Sequence, residues 1–336
     1  MKVGKLPGAV LQKYVLSTID YLRDDVLVHA GLGEDCAVLD FGDEVCLVSS
    51  DPITGAGEGL GELAVHVACN DIAANGGTPV GVQIVLLAPP DTQEEQLRGI
   101  MTDIQRTAAE LDVEVIGGHT EITSKVEDCI ISVTAIGRAP KERFVTSRGA
   151  RPGDDLVITK GVGIEATAIL AREYGRLLPF TVTDEEIRSF TQQLSVVAEG
   201  IIAAEHGVHA MHDITEGGLV GAVREMCHAS QCGAVIWEEK VPVPELTYRI
   251  TTQLGLDPMA LLSSGAMLIA VPNGKDLVNE LAQHQIPAYV VGRTTKDENV
   301  VVVRRDGVRE EVSGHVEDEL WRFMAEQGEK RSSKVQ

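Results

Sequence analysis

The alternation of apolar and polar residues predicts strands and helices that follow one another along the whole chain. Apolar residues recur at spacings of three and four between Asp91 and Leu111, which predicts an amphipathic helix. A second helix is predicted from about Leu60 to Asn75, ended by Gly76-Gly77. The other elements predicted in this half are strands at 36–40, 45–50, 81–88 and 114–116, with a hairpin turn at 41–44.

The segment SRGARPGDD, residues 147–155, combines glycine, proline and charge and predicts a domain junction. Beyond it the pattern predicts a strand at 156–160, helices at 163–174, 185–205 and 216–229, and strands near 235, 267, 288 and 300. We therefore expect an α/β fold with two domains, 1–148 and 149–325, followed by a polar tail at 326–336.

Charge and composition narrow the possible partners. The 336 residues carry a net charge of −22, which would repel a phosphate backbone, so nucleic acid is not expected as a partner. No apolar run approaches the roughly 20 residues of a membrane span, and the first residues, MKVGKLPGAV, lack the apolar region of a signal peptide, so we do not expect secretion. We expect a cytoplasmic protein with no membrane partner, whose six cysteines are reduced and largely buried.

Asp71 is an unusual residue for its position in the predicted helix. It shares the apolar face with Leu60, Ala64 and Val67, so it points inward. It also lies in the last turn, where the helix dipole disfavours a carboxylate. A buried charge in such a place needs a cation or hydrogen-bond donors. Backbone groups or an arginine could supply those donors, so this alternative stays open.

Two further acids lie at predicted strand ends. Asp35 precedes one strand of the hairpin and Asp51 ends the other, so pairing brings them to the same edge. Three carboxylates facing one region are typical of a Mg²⁺ site, and an acidic protein that binds a nucleotide needs such a cation. We predict a metal site of Asp35, Asp51 and Asp71, with surface or capping roles as the alternative.

Three glycine-containing segments could meet a phosphate. The first is a predicted turn, in which Thr120 would donate a hydrogen bond and Glu121 would lie near the metal; its residues are Gly117, Gly118, His119, Thr120 and Glu121. The second is Lys160 with its neighbouring glycines. The third is the helix start at Gly217-Gly218, after Asp213. His119 as a turn residue, and Asp213 or Thr215 as an N-cap, remain simpler explanations.

Common nucleotide and zinc motifs are missing. Neither the Walker A spacing nor a G-x-G-x-x-G after a strand occurs. His206, His209 and His212 are spaced like a zinc cluster, but a loop at this point argues against one.

The ordered segments GLGEDCAVLD, SSDPITGAGEG, NDIAANGGTP, GGHTE, RPGDDLVITKGVG and HDITEGGLVGAVREM resemble the aminoimidazole-ribonucleotide (AIR) synthetase superfamily. The resemblance extends from Gly31 to about Val303. The later segments GAVIWEEKVPVP and GLDPMALLSSGAMLIAVP are most similar to its hydrogenase-maturation carbamoyl dehydratases.

This resemblance implies an N-terminal mixed sheet that forms a barrel with its copy in a homodimer, and a C-terminal α/β sandwich. It also implies an enzyme that uses ATP and Mg²⁺ on an unidentified small-molecule or protein-borne acceptor. Asp71, Lys160 and Asp213 would be catalytic, and Asp35, Asp51 and Asp71 would bind the metal. The nucleotide would contact Asn70, Gly117, Gly118, His119, Thr120, Glu121, Gly217 and Gly218.

The chain departs from the pattern in three places. It ends without the terminal cysteine of the dehydratases, so we expect a separate acceptor. His119 stands where the kinases and dehydratases carry Asp, and Glu121 would replace that ligand. The reactive cysteine of selenophosphate synthetases has no counterpart before Cys36. Alternatives are a kinase similar to thiamine-monophosphate kinase, or a non-catalytic ATP-binding regulatory protein.

Overall fold

The computed structural model describes residues 6–54 and 59–332, the last five of them by backbone alone. Within these residues the chain forms two sheets with helices packed on them, so the α/β prediction is confirmed. None of the described helices is both long enough and apolar enough to cross a membrane.

The first sheet has six strands in the order β1-β2-β3-β6-β4-β5. Its strands are β1 (Val26–Val28), β2 (Ala37–Asp40), β3 (Glu44–Ile53), β4 (Thr78–Ala88), β5 (Glu114–Ile122) and β6 (Ile130–Pro140). The helices of this half are α1 (Gly8–Tyr14), α2 (Leu60–Ala74) and α3 (Glu94–Glu110). β1 and β5 are its edges in the single chain, and the predicted barrel with a second copy stays a prediction.

The second sheet has seven strands in the order β13-β12-β9-β11-β7-β10-β8. Its strands are β7 (Asp155–Thr159), β8 (Ala210–Asp213), β9 (Gly233–Trp237), β10 (Met267–Val271), β11 (Ala288–Thr295), β12 (Val300–Val303) and β13 (Arg309–Val312). Its helices are α4 (Ile164–Tyr174), α5 (Asp184–Thr191), α6 (Val197–His206), α7 (Gly218–Ser230), α8 (Glu245–Leu254), α9 (Gly274–Gln283) and α10 (Glu319–Ser332). The boundary between 148 and 149 falls between the sheets, and we retain it as a proposal.

The observed elements differ from the sequence predictions in four places. The helix predicted at 185–205 is two helices, α5 and α6. β5 continues to Ile122, where a turn was predicted after residue 116. β6 was not predicted, although it pairs with both β3 and β4 at the centre of the sheet. The predicted polar tail is helical as far as Ser332, and its residues 333–336 lie outside the described part.

Helix α2 is the element that joins the two halves. It packs on β3, β6 and α3 of its own half and on α6 and β8 of the other. Thirteen of its fifteen residues are buried, which is typical of a helix enclosed on all sides. Gly76 follows its end at φ 73°, where an added Cβ would meet the Ala204 side chain at 2.8 Å. The last turn, with Asp71, is therefore held inside the molecule between the two sheets.

Candidate metal and nucleotide site

Four carboxylates from four elements meet around the end of α2. Asp35 precedes β2, Asp51 lies in β3, Asp71 lies in α2 and Asp213 ends β8. The Ser49 hydroxyl donates a hydrogen bond to Asp71 Oδ2 and lies 3.4 Å from Asp51 Oδ2. The three acids that the sequence predicted as metal ligands are thus brought together, and β8 adds a fourth from the other half. We name this group the acid cluster.

Buried negative charge at the acid cluster lacks full compensation from the protein. Burial raises the pKa of Asp71 well above its ordinary value, and the carboxylates of Asp213, Asp51 and Asp35 raise it further. Asp213 is only 2 % exposed, and its Oδ2 makes no hydrogen bond within residues 6–54 and 59–332. An unpaired buried oxygen costs free energy that a bound cation would recover. The oxygen-rich donor set therefore fits Mg²⁺.

His212 lies directly beside the acid cluster. Its Nδ1 is 3.1 Å from Asp35 Oδ1 and 3.7 Å from Asp213 Oδ1, and its Nε2 is 3.1 Å from Glu225 Oε2. Burial lowers the pKa of His212, but Asp35, Asp213 and Glu225 outweigh burial and raise it well above its ordinary value. His206 pairs instead with Glu280, and His209 with Asp154. The three histidines thus have different partners, as expected if they form no zinc cluster.

The contacts given for Lys160 in the described part of the chain do not include a residue of the acid cluster. Its ammonium lies 2.6 Å from Glu199 Oε1 and donates to the carbonyls of Gln193, Ser195 and Gly265. Burial lowers its pKa, and Glu199 opposes part of that shift. The structure argues against the predicted catalytic role, because the ammonium is already used to hold the loop between α5 and α6.

Asn70 is committed to the same loop. Its amide nitrogen donates to the Leu194 carbonyl at 2.8 Å, and its side-chain oxygen accepts from the Val196 amide at 2.9 Å. The side chain is fully buried. These contacts explain why residues 192–196 interrupt the helix predicted at 185–205. They leave no support for the predicted contact of Asn70 with a nucleotide.

The predicted anion site at the start of α7 is occupied by an acid of the chain itself. Gly217 is the N-cap, and its amide donates to Asp318 Oδ2 at 2.7 Å. The Gly218 amide donates to the Thr215 carbonyl at 3.1 Å. Neither amide is therefore open to a phosphate, and the N-cap role considered for Asp213 or Thr215 is also wrong. Asp318 could not be found from the sequence, because it lies a hundred residues further along the chain.

The five residues from Gly117 to Glu121 lie in the edge strand β5 and not in a turn. Gly118 is in register with Ile84, Ile84 with Val133, and Val133 with Asp51. Three strand spacings of about 4.8 Å put this row's ends about 14 Å apart. His119 Nε2 lies 3.5 Å from Glu121 Oε2, and both side chains are exposed. Within one chain the structure therefore does not bring these residues to the acid cluster.

A cleft of about 480 Å³ opens between the start of α2 and helices α4 and α5. Besides apolar side chains it is lined by one arginine and four acids: Arg172, Glu62, Glu165, Glu173 and Asp184. Glu165 is buried, and burial, with Asp318 and Asp213 adding to it and Ser264 opposing, raises its pKa to about 7. The Asp213 contribution links one lining residue, Glu165, electrostatically to the acid cluster.

Two family models together match most of the chain. The model for the N-terminal domain of AIR synthase related proteins matches residues 33–139, and the model for the C-terminal domain matches residues 151–305.

Similar proteins carry two kinds of name. A hydrogenase expression/formation protein of Methanocaldococcus jannaschii is 28% identical over 90% of this chain and 94% of its own length. Carbamoyl dehydratase HypE of Rhodobacter capsulatus is 27% identical over 81% and 79%. Thiamine-monophosphate kinase of Pyrococcus horikoshii is 29% identical over 83% and 87%. Both named activities belong to enzymes.

Solved structures of the same two kinds share the fold. Hydrogenase maturation protein HypE in complex with ATP matches with a TM-score of 0.68 at 21% identity, over 93% of this chain and 96% of its own. A ThiL protein complexed with AMPPCP and TMP matches with a TM-score of 0.74 at 22% identity, over 94% and 98%.

Proposed function

Since the chain belongs to the family of AIR synthase related proteins, as the order of its motifs predicted, we propose that it is an ATP- and Mg²⁺-dependent enzyme that phosphorylates or activates an acceptor. The observation that carries the proposal is the acid cluster of four carboxylates, one of which, Asp213, buries an oxygen, Oδ2, without a hydrogen bond among the described residues. Relatives named as a dehydratase and a kinase support this class of chemistry.

Asp35, Asp51 and Asp71 would hold Mg²⁺, with Asp213 completing the negative charge on the side of the second sheet. Bound there, the cation would neutralise the negative charge on the phosphate oxygens of ATP. The hydroxyl of Ser49 fixes the Asp71 carboxylate, and the Cys36 thiol donates to the Asp71 carbonyl at 3.2 Å. These contacts hold the last turn of α2 in place before any ligand binds, as an electrostatic site requires.

We propose the cleft beside Glu165 as the acceptor site. Its buried Glu165 senses the charge of Asp213, and its four acids outnumber Arg172. This charge favours a neutral or positively charged acceptor over an anionic one. Dehydration would release the acceptor's oxygen after activation, whereas a kinase would leave the phosphate on the acceptor. Analysis of the products separates these two reactions.

The proposed homodimer would also contribute contacts to the nucleotide site. His119, Thr120 and Glu121 lie on the open edge strand β5, three strands from the strand that carries Asp51. A nucleotide contact by these residues therefore rests on a second copy placed against this edge. We propose that arrangement together with the barrel that the family resemblance implies.

The deciding experiment compares ATP turnover in wild type, Asp71→Asn and Asp43→Asn. Asp43 is an exposed acid in the hairpin before β3, so its variant controls for loss of one charge. We expect Asp71→Asn to lower turnover by about 100-fold or more, as the loss of a group that holds the catalytic cation would. Turnover equal to wild type would remove the metal role of Asp71. Tight Mg-ATP binding by calorimetry without turnover on any acceptor would instead favour a regulatory protein.

A further inference from the structure

We propose that His212 is a metal ligand and that, with Asp35 and Asp213, it forms a position for a divalent transition-metal cation such as Mn²⁺. The inference rests on the proposed role of Asp35 as a cation ligand, but it does not depend on the acceptor. It adds a nitrogen ligand to a site otherwise built from oxygen.

The spacing of the three side chains suits one ion. One ligand atom from each of Asp35, His212 and Asp213 lies within 4.8 Å of the other two. Nδ1 of His212 is 3.1 Å from Asp35 Oδ1 and 3.7 Å from Asp213 Oδ1. Ligands that each lie about 2.1 Å from one metal ion are separated by about 3.0 to 3.7 Å. Both separations from His212 Nδ1 fall in this range, and the set is compact enough for one ion.

Two of the proposed ligand atoms, His212 Nδ1 and Asp213 Oδ2, are buried and lack a hydrogen bond among the described residues. His212 is 3 % exposed and Asp213 is 2 % exposed. Within the described ranges, neither His212 Nδ1 nor Asp213 Oδ2 makes a hydrogen bond. Buried polar atoms are rarely left in this state, because each costs the free energy of its lost hydration. A cation between them would account for both atoms at once.

Glu225 supplies the support that a histidine ligand normally has. It reaches from α7 and places Oε2 3.1 Å from His212 Nε2. A carboxylate in this position holds a proton on Nε2, and a cation bound at Nδ1 would replace the second proton that Asp35 and Asp213 favour there in its absence. The chain thus contains the carboxylate–histidine–metal arrangement, with Glu225 as the outer carboxylate.

The donor set also indicates which cation is preferred. Mg²⁺ takes hard oxygen ligands, whereas imidazole favours transition metals. One nitrogen beside two carboxylates therefore selects a transition metal over Mg²⁺, while Asp51 and Asp71 retain an all-oxygen environment. The two positions would share Asp35, in the manner of two-metal phosphoryl-transfer sites.

The test uses Mn²⁺ alone, without nucleotide, bound to the full chain and studied by electron spin echo spectroscopy. Wild type should show modulation from a directly bound ¹⁴N nucleus. His212→Gln should lose this modulation and bind Mn²⁺ at least about tenfold more weakly. His228→Gln removes an exposed histidine of α7 and should match wild type in both respects.

A second variant covers the case in which His212→Gln does not fold. Glu225→Gln should keep the ¹⁴N modulation and weaken Mn²⁺ binding by about 10- to 100-fold, as loss of an outer-shell carboxylate does. Bound Mn²⁺ without ¹⁴N modulation in wild type, modulation that persists in His212→Gln, or no Mn²⁺ binding would each overturn the inference. The proposed function has its own test, because Asp71→Asn should lose turnover while keeping the ¹⁴N signal.

Discussion

Lys160 and the acid cluster are both buried charged groups in contact with the junction of the two halves, and they differ in what compensates their charge. The Lys160 ammonium has Glu199 and three backbone carbonyls as partners. The acid cluster has the hydroxyls of Ser49 and Ser147, the His212 ring that it shares with Glu225, and one oxygen, Asp213 Oδ2, without a hydrogen bond in the described part of the chain. A charge compensated from within the chain makes each partner costly to remove, whereas a charge left over indicates a ligand from outside.

The comparison predicts its largest effect at Lys160. Replacement by methionine leaves Glu199 buried without its partner, so we expect a loss of about 3–5 kcal/mol in the free energy of unfolding. Urea unfolding measures it. Lys141→Met is the matched control, since its partner Asp40 is near the surface and such pairs contribute about 0–1 kcal/mol. A small change in stability combined with loss of ATP turnover in the folded variant would restore a catalytic role to Lys160.

Glu165 is intermediate between Lys160 and the acid cluster. It is buried, and its one compensating contact among the described residues is a hydrogen bond with Ser264, which lowers its pKa only in part. Its pKa rises from 4.5 to about 7 on folding. The folded state then holds a proton that the unfolded state has lost, so wild type loses stability as the pH rises from about 4.5 to 7.

Glu165→Gln removes that loss, and its stability relative to wild type should increase by about 3 kcal/mol over this range. Urea unfolding at several pH values measures the difference. Glu95→Gln, an exposed acid of α3, should show no such trend. A difference between Glu165→Gln and wild type that stays constant with pH would show that Glu165 is ionised throughout.

Asp51→Asn tests the acid cluster itself without touching His212. In a metal-free buffer the variant loses one of the charges that raise the pKa of Asp71, so we expect a gain of about 1 kcal/mol in stability. With Mg²⁺ the order should reverse, because wild type binds the cation more tightly and gains stability in proportion. Thermal unfolding with Mg²⁺ and with chelator measures both. Asp43→Asn should respond to Mg²⁺ as wild type does, and a similar response from Asp51→Asn would exclude Asp51 as a ligand.

The same comparison explains what sequence reasoning could find. Asp35, Asp51 and Asp71 were predictable together, because each lies near an element's end and Asp71 also sits on an apolar helix face. The roles predicted for Lys160, Asn70 and Gly217 stay predictions, and the structure gives each of these residues other partners for one shared reason. Their partners are backbone or carboxylate groups 33 to 126 residues away, and a local pattern does not show which of these faces a polar side chain.

The missed features have related causes. His212 was visible as the neighbour of Asp213, but only the pairing of β8 in the fold places it against Asp35. The break between α5 and α6 was hidden because Asn70, from the other half, sets it. β6 carries a strand-like alternation of buried and exposed positions that could have been recognised from the sequence.

The exposed pair of His119 and Glu121 on β5 provides the smallest expected effect. Both side chains are open to solvent, so the ion pair is screened and contributes little. His119→Asn should change the free energy of unfolding of the isolated chain by less than about 0.5 kcal/mol, which urea unfolding at low protein concentration measures. Calorimetry of Mg-ATP binding, repeated at high protein concentration, then tests whether the β5 edge lies free or contributes to the nucleotide site of a second copy. A loss of affinity that appears only when the protein is concentrated would mean that β5 of one copy completes the nucleotide site of another. Equal affinity of variant and wild type at every concentration would leave the acid cluster as the part of the site that a single chain provides.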